Sequence, residues 1–106
     1  MKKILFYSAL LFSQTTIAGN TTGKIGRLYV HNHNTNVLFR MNSDDLNFSS
    51  CATTQRYVID ASTEQGKNSY SAILAAKAAN QTVFIQGTEQ CDISGTAETM
   101  QLLYIE

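Results

Sequence analysis

The sequence has no proline, no tryptophan, two cysteines and two histidines, and only 15% of its residues are charged. The absence of proline is compatible with strands throughout, because proline removes a ladder hydrogen bond from a central strand. Eight basic side chains are balanced by eight acidic ones, without a basic run. We therefore expect no nucleic-acid partner, since nucleic-acid-binding domains normally carry a cationic footprint. The 106 residues, 43% of them hydrophobic, suffice for one folded domain.

Long apolar runs are also scarce, and the clearest one lies near the N-terminus. Residues 4–12 are mostly apolar and directly follow the positive charges of Lys2 and Lys3. Residues 16–18, with the sequence TIA, then place small side chains at the first and third positions. This layout is typical of a secretory signal peptide, and we predict that it is cleaved after Ala18.

The signal peptide, residues 1–18, leaves one domain, residues 19–106. The alternative is a membrane anchor, for which the apolar run falls short of the ~20 residues that a bilayer span needs. We expect a processed protein without a membrane span, located in the periplasm or outside the cell. Residues 19–23, with the sequence GNTTG, are predicted to be a flexible lead.

Both cysteines, Cys51 and Cys91, lie in the predicted mature domain. A pair of cysteines in a small exported domain predicts one disulfide. The chain-entropy model assigns about 4 kcal/mol of stabilisation to a bridge that closes a loop of this length. A redox or metal-binding pair is the alternative, but there is neither a C-x-x-C spacing nor a Cys/His cluster. A bridge between two chains is a further alternative.

Alternation of apolar and polar residues predicts five short strands. The first two, residues 24–31 and 37–41, form a β-hairpin around the Asn-rich turn HNHNTN. Within the first strand, Arg27 and Tyr29 lie on the same face. The other predicted strands are residues 55–60, 82–86 and 99–105.

One helix is predicted between the third and fourth strands. Asn68 or Ser69 can cap its first turn through a side-chain oxygen. The helix ends before Asn80, which suits the left-handed conformation after a helix. Apolar residues recur at helical spacing along one stripe, so we expect Ile73 and Leu74 to be buried.

The predicted order is three strands, a helix and two further strands. This order favours a β-rich α+β fold, a small five-stranded OB-like barrel with one helix and one disulfide. An open sheet with the helix on one face would have the same order and is the alternative. Cys51 lies between the second and third strands and Cys91 between the fourth and fifth, so the bridge would tie two loops together.

Residues 69–85, with the sequence SYSAILAAKAANQTVFI, carry a recognisable layout. An aromatic residue near the start of the helix is followed by an alanine-rich middle, a short polar break and a V-x-I strand. With the signal peptide and the disulfide, this layout resembles the B subunits of pertussis-type bacterial AB5 toxins, such as subtilase cytotoxin and typhoid toxin. It also resembles small secreted proteins of Gram-negative bacteria. The resemblance implies an OB-fold, a pentamer, recognition of cell-surface glycans and a toxin A subunit as partner.

Few side chains point to reactive chemistry. There is no G-x-S-x-G motif to support a nucleophilic triad, so we expect no catalytic residue and no enzymatic activity. Residues two apart on a strand point to the same side, as His31 and His33 would in a metal pair. No third ligand is adjacent to them, and we expect solvated turn residues, no metal site and no cofactor.

The turn between the first two strands is the candidate binding site. OB barrels bind ligands on strands two and three and on the loops after strands one and four. The amides and imidazoles of this turn can donate to and accept from sugar hydroxyls. The candidate ligand-binding residues are His31, Asn32, His33 and Asn34.

Two functions fit these patterns. The first is a non-enzymatic exported binding subunit that recognises glycans as a homo-oligomer, in the manner of a toxin B subunit. The second is a small periplasmic or secreted domain that binds another protein or has a structural role.

Overall fold

The computed structural model describes residues 19–106, and the predicted signal peptide lies outside these residues. Within them the chain forms five strands and one helix in the predicted order. The elements are β1 (Asn20–Val30), β2 (Asn36–Asn42), β3 (Tyr57–Asp60), α1 (Glu64–Ala78), β4 (Thr82–Gly87) and β5 (Glu98–Ile105). The prediction of a small β-rich domain with five strands, one helix and one disulfide is thus confirmed.

All five strands belong to one sheet that closes on itself in the order β1-β2-β3-β5-β4. Neighbouring strands pair antiparallel except β3 and β5, which are parallel. β1 has 11 residues and serves two neighbours. Residues 20–24 pair with β4, and residues 24–30 pair with β2. A register shift between Ile25 and Leu28 lies where β1 passes from one neighbour to the other, as expected of a bulge, which bends a strand.

The inward-facing side chains of the strands form one hydrophobic core, and α1 adds two residues to it. In β4, buried and half-buried residues alternate, as expected when one face of a strand is covered. Burying a large apolar side chain of this kind stabilises the fold by about 1.5–3 kcal/mol. The buried cluster comprises Ile25, Phe39, Met41, Tyr57, Ile59, Ile73, Ala76, Val83 and Ile85.

The prediction that residues 19–23 form a flexible lead is wrong, because β1 begins at Asn20. Thr21 pairs with Ile85 of β4, and its side chain is only 1% exposed. Its Oγ1 lies 3.2 Å from the hydroxyl oxygen of Tyr57, within hydrogen-bond distance. Pairing with β4 therefore overrides the low strand propensity of a segment with two glycines.

The predicted helix start at Asn68 or Ser69 is also wrong. Thr63 is the N-cap, and its side-chain oxygen accepts a hydrogen bond from the backbone N–H of Gly66 at 2.9 Å. Gly66 disfavours a helix in the sequence, but a Cβ at this position would collide with the carbonyl oxygen of Asp60. The close packing of the helix on the end of β3 explains the glycine. Asn80 adopts the predicted left-handed conformation, with φ of 55°.

Only one of the two helix residues predicted to be buried is in the core. Ile73 is fully buried, whereas the side chain of Leu74 is 43% exposed. The face of α1 that packs on the sheet differs from the predicted stripe, because the buried positions are Gly66, Ile73 and Ala76. These residues share one face of the helix, and Leu74 lies beside it.

The disulfide between Cys51 and Cys91 is present, with the Cα atoms 6.1 Å apart and 40 residues of separation. It links the β2–β3 loop, residues 43–56, to the β4–β5 loop, residues 88–97. A second contact joins the same loops, since Thr54 donates backbone and side-chain hydrogen bonds to the carbonyl of Thr96. Two long loops are thereby held together beside the start of β5.

The two neighbouring helix residues provide a matched test of the helix register. Ile73→Ala is expected to lower the free energy of unfolding by about 2–5 kcal/mol, because it leaves a cavity in the core. Leu74→Ala is expected to change it by about 1 kcal/mol or less, since the side chain lies outside the core and is 43% exposed. Urea unfolding followed by circular dichroism measures both changes. Equal losses in the two variants would contradict the register described here.

Candidate functional site

The outer face of β1, β2 and β3 combines a small apolar floor with three arginine side chains. Tyr29 lies opposite Leu38, and Leu38 lies opposite Val58, so the three residues form a row across the strands. Leu38 and Val58 are buried because Ala97 and Ile93 of the β4–β5 loop pack over them. Tyr29 is half-buried at the edge of this floor.

The arginines of the chain, Arg27, Arg40 and Arg56, gather around Tyr29. We refer to these three residues as the arginine cluster. Nε of Arg40 donates a hydrogen bond to the Tyr29 hydroxyl oxygen at 3.0 Å. The guanidinium carbon of Arg56 lies 4.7 Å from the centroid of the Tyr29 ring, in the range of a cation–π contact. Tyr29 is therefore contacted by cations at its hydroxyl and at its ring.

The positive charges of the cluster act on the hydroxyl group of Tyr29. The hydrogen bond from Arg40 lowers the pKa of the Tyr29 hydroxyl, and the charges of Arg40 and Arg27 act in the same direction. A cation favours the ionised form of a neighbouring acid. The same field would attract an anionic group from solution to this face.

A shallow open depression borders the cluster at the bulge of β1. Its lining includes the basic residues Arg27, Arg40 and Lys77 and no acidic residue. Nζ of Lys77 donates to the carbonyl of Gly26 at 2.7 Å, which holds the ammonium group at the rim. A Cβ on Gly26 would lie 3.1 Å from the backbone carbonyl oxygen of Arg40, which is a tight contact. The bulge thus places cations from β1, β2 and α1 around one depression.

The predicted binding turn lies apart from the residues that line this depression. His31, Asn32, His33 and Asn34 are all exposed, and the two imidazole centroids are 5.0 Å apart. Oδ1 of Asn34 accepts a hydrogen bond from the backbone N–H of Asn36 at 2.9 Å, so that oxygen shapes the turn. The assignment of these four residues as a ligand site stays a prediction.

Sequence reasoning missed the arginine cluster because its members are far apart in the sequence and form no basic run. Strand pairing brings them together, since Arg40 lies two residues beyond Leu38, the partner of Tyr29. One signal was available: Arg27 and Tyr29 were predicted to share the face opposite the apolar residues of the first strand. The position of Arg56, just before β3, depends on the pairing of β2 with β3.

The outer face of β4 and β5 carries a different surface. The rings of Phe84 and Tyr104 stack with their centroids 4.9 Å apart. Leu102 is 44% exposed and Tyr104 is 49% exposed. An exposed apolar patch of this kind is typical of a contact surface for another protein chain.

A titration tests the link between Tyr29 and Arg40. Arg40→Gln is expected to raise the pKa of Tyr29 towards its ordinary value, because it removes a charged hydrogen-bond donor. Lys67→Gln, an exposed change on α1, is the matched control and is expected to leave the pKa unchanged. NMR titration of the Tyr29 ring signals measures both. A Tyr29 pKa that is the same in Arg40→Gln and wild type would contradict the geometry.

Chemically, the arginine cluster fits a carboxylate, sulfate or phosphate group, since guanidinium groups bind such oxygens through paired hydrogen bonds.

Among residues 19–106, no group of three or more His, Cys, Asp or Glu side chains is placed to hold a metal ion. In the same residues, no helix is both long and apolar enough to cross a membrane. No protein-family model, no curated protein and no solved structure matches the chain.

Proposed function

We propose that the protein is an exported, non-enzymatic binding module of the OB-fold type that recognises acidic glycans. The observation that carries the proposal is the arginine cluster around Tyr29 on the outer face of β1, β2 and β3. An exposed anion-binding surface beside a partly exposed aromatic ring suits a sugar that carries a carboxylate or sulfate group.

The strand order supports the OB-fold assignment. The helix lies between β3 and β4, and β3 pairs in parallel with β5, which closes the sheet through a connection that skips β4. The OB-fold is a five-stranded Greek-key barrel that binds oligonucleotides and oligosaccharides on the face of strands two and three. Arg40 lies on β2, and Arg56 immediately precedes β3. In the proposed OB-fold, the arginine cluster lies at the face that such folds use for ligands.

The balance of charges favours a small acidic ligand over a nucleic acid. Acidic side chains outnumber basic ones by two in residues 19–106, whereas nucleic-acid-binding domains are usually strongly basic. Three guanidinium groups on one small surface match a single anionic group and its neighbouring hydroxyls. The exposed amides of Asn32 and Asn34 would add contacts to neutral sugar units at the far end of a longer glycan.

One shallow site of this kind gives weak binding, because few contacts offset the cost of ordering a flexible sugar. Several copies on one assembly would raise the apparent affinity through effective concentration. The exposed patch of Phe84, Leu102 and Tyr104 supports contact with a second copy of the chain. We propose a homo-oligomer, and a pentamer beside an A subunit if the resemblance to toxin B subunits extends to assembly.

The same patch supports the second candidate function, a secreted or periplasmic domain that binds a different protein. Stacked aromatic rings and an exposed leucine suit a protein interface as well as they suit self-association. In that case the arginine cluster would contact acidic side chains of the partner. The two functions differ in whether an isolated acidic sugar binds.

Glycan-array screening of the processed protein tests the proposal. Acidic glycans are expected to bind, whereas their neutral counterparts are not. Arg40→Gln is expected to weaken binding about 10- to 100-fold, the range for losing a hydrogen bond to a charged group. Lys67→Gln is the matched control and should retain binding. The double variant Asn32→Ala/Asn34→Ala tests the predicted turn on the same array.

Three results would contradict the acidic-glycan function. They are equal binding of acidic and neutral glycans, unchanged binding by Arg40→Gln, and the absence of binding by an assembled oligomer. The last result would favour the protein-binding domain. Native mass spectrometry of the same sample measures the number of copies, and a monomer would contradict the proposed homo-oligomer.

A further inference from the structure

Glu98, the first residue of β5, carries a fully buried side chain. Its carboxylate accepts hydrogen bonds from the backbone N–H groups of Gly19 at 3.0 Å, Ser49 at 2.9 Å and Glu89 at 2.9 Å. Within residues 19–106, these donors are all uncharged amides. A buried carboxylate is costly without a countercharge, even when its oxygens are hydrogen-bonded.

The carboxylate lies so close to the backbone at positions 19 and 87 that only glycine fits at either position. A Cβ on Gly19 would collide with Oε1 of Glu98, and a Cβ on Gly87 would collide with Oε2. The N–H of Gly87 donates to the carbonyl of Gly19 at 2.7 Å, which extends the pairing of β1 with β4 by one residue. Gly19 is thus held at its carbonyl oxygen by Gly87 and at its nitrogen by Glu98.

The position of Gly19 matters because the predicted signal peptide ends at Ala18. We propose that cleavage of the Ala18–Gly19 bond gives Gly19 an α-ammonium group that forms a buried ion pair with Glu98. This inference rests on the proposed export but not on the proposed ligand.

Hydrolysis breaks the bond between the carbonyl carbon of Ala18 and the nitrogen of Gly19. Water supplies the hydroxyl for the new carboxyl group and a proton for the new amine, which takes up a second proton at neutral pH.

The new amino terminus supplies the positive charge that the carboxylate of Glu98 lacks among its amide donors. An α-ammonium group has three N–H donors and a full positive charge, and an ordinary α-amino group has a pKa of about 8. The other titratable group facing the carboxylate from the core is the Tyr57 hydroxyl, on β3. Burial raises the pKa of Tyr57 to about 12, and the charge of Glu98 adds to the rise. Tyr57 therefore remains neutral, and Gly19 is the group that can carry the countercharge.

The ion pair makes the fold sensitive to the position of the cut. One additional residue before Gly19 would convert the ammonium back into a neutral amide and move the charge away from Glu98. A side chain larger than hydrogen at position 19 would not fit beside the carboxylate. Processing after Ala18 would thus complete the packing between β1, β4 and β5, and the processed chain would be more stable than one that keeps a residue there.

The test uses the full chain, exported with its own leader. Intact mass of the purified protein is expected to begin at Gly19. A second chain carries one serine inserted between Ala18 and Gly19, so that its processed form starts one residue earlier, which intact mass also verifies. The insertion is expected to lower Tm by about 4–8 °C or more. In a Glu98→Gln background it is expected to lower Tm much less, because the ion pair is already absent.

Chemical labelling keeps the test informative if Glu98→Gln does not fold. An acetylating reagent at pH 7 is expected to modify the amino terminus of the serine-extended protein at least about tenfold faster than that of the wild type. Mass spectrometry of the N-terminal peptide measures both rates. A processed chain that starts elsewhere, equal labelling rates, or the same Tm loss in both backgrounds would overturn the inference. None of these readouts involves a glycan, so a failure of the proposed ligand is distinguished from a failure of this ion pair.

Discussion

The carboxylate of Glu98 is the interaction on which the closed sheet depends. It accepts hydrogen bonds from backbone donors that lie 79, 49 and 9 residues away along the chain. These bonds offset the cost of burying the carboxylate, and losing one of them would leave a buried polar group unpaired at a cost of about 1–3 kcal/mol. A net stability of only about 5–15 kcal/mol is typical of a domain, so the loss of one such bond is expected to weaken the whole fold measurably. These hydrogen bonds fix the start of β1 and two long loops against the start of β5.

The disulfide acts on the same two loops. Ser49 precedes Cys51 by two residues, and Glu89 precedes Cys91 by two residues. The covalent bond and the buried carboxylate therefore hold the loops at neighbouring points. The β4–β5 loop is thereby positioned to place Ile93 and Ala97 over the outer face of β2 and β3. That packing forms the floor beside which Tyr29 and the arginine cluster lie. The contacts that hold the β4–β5 loop therefore also support the candidate binding face.

Much of the fold is predictable from local patterns in the sequence, but the candidate site is not. Alternation identifies the strands, and the count of two cysteines in a chain predicted to be exported identifies the disulfide. The start of β1 escapes prediction because GNTTG has low strand propensity and is held by pairing with β4. The helix start escapes because Gly66 is explained only by its contact with β3. The arginine cluster and the role of Glu98 depend on which strands are neighbours, and that information is nonlocal. Tyr29 and Arg27 were placed together correctly because they share one strand.

Amide hydrogen exchange in a Glu98→Gln variant tests the central role of this carboxylate most directly. The substitution preserves the shape of the side chain but removes its charge and replaces one acceptor oxygen by an NH₂ donor. The amides of Ser49 and Glu89 are predicted to exchange at least about tenfold faster than in the wild type, and by a larger factor than the amide of Ile85 in β4. Unchanged exchange at Ser49 and Glu89, or an equal change at all three amides, would contradict the account.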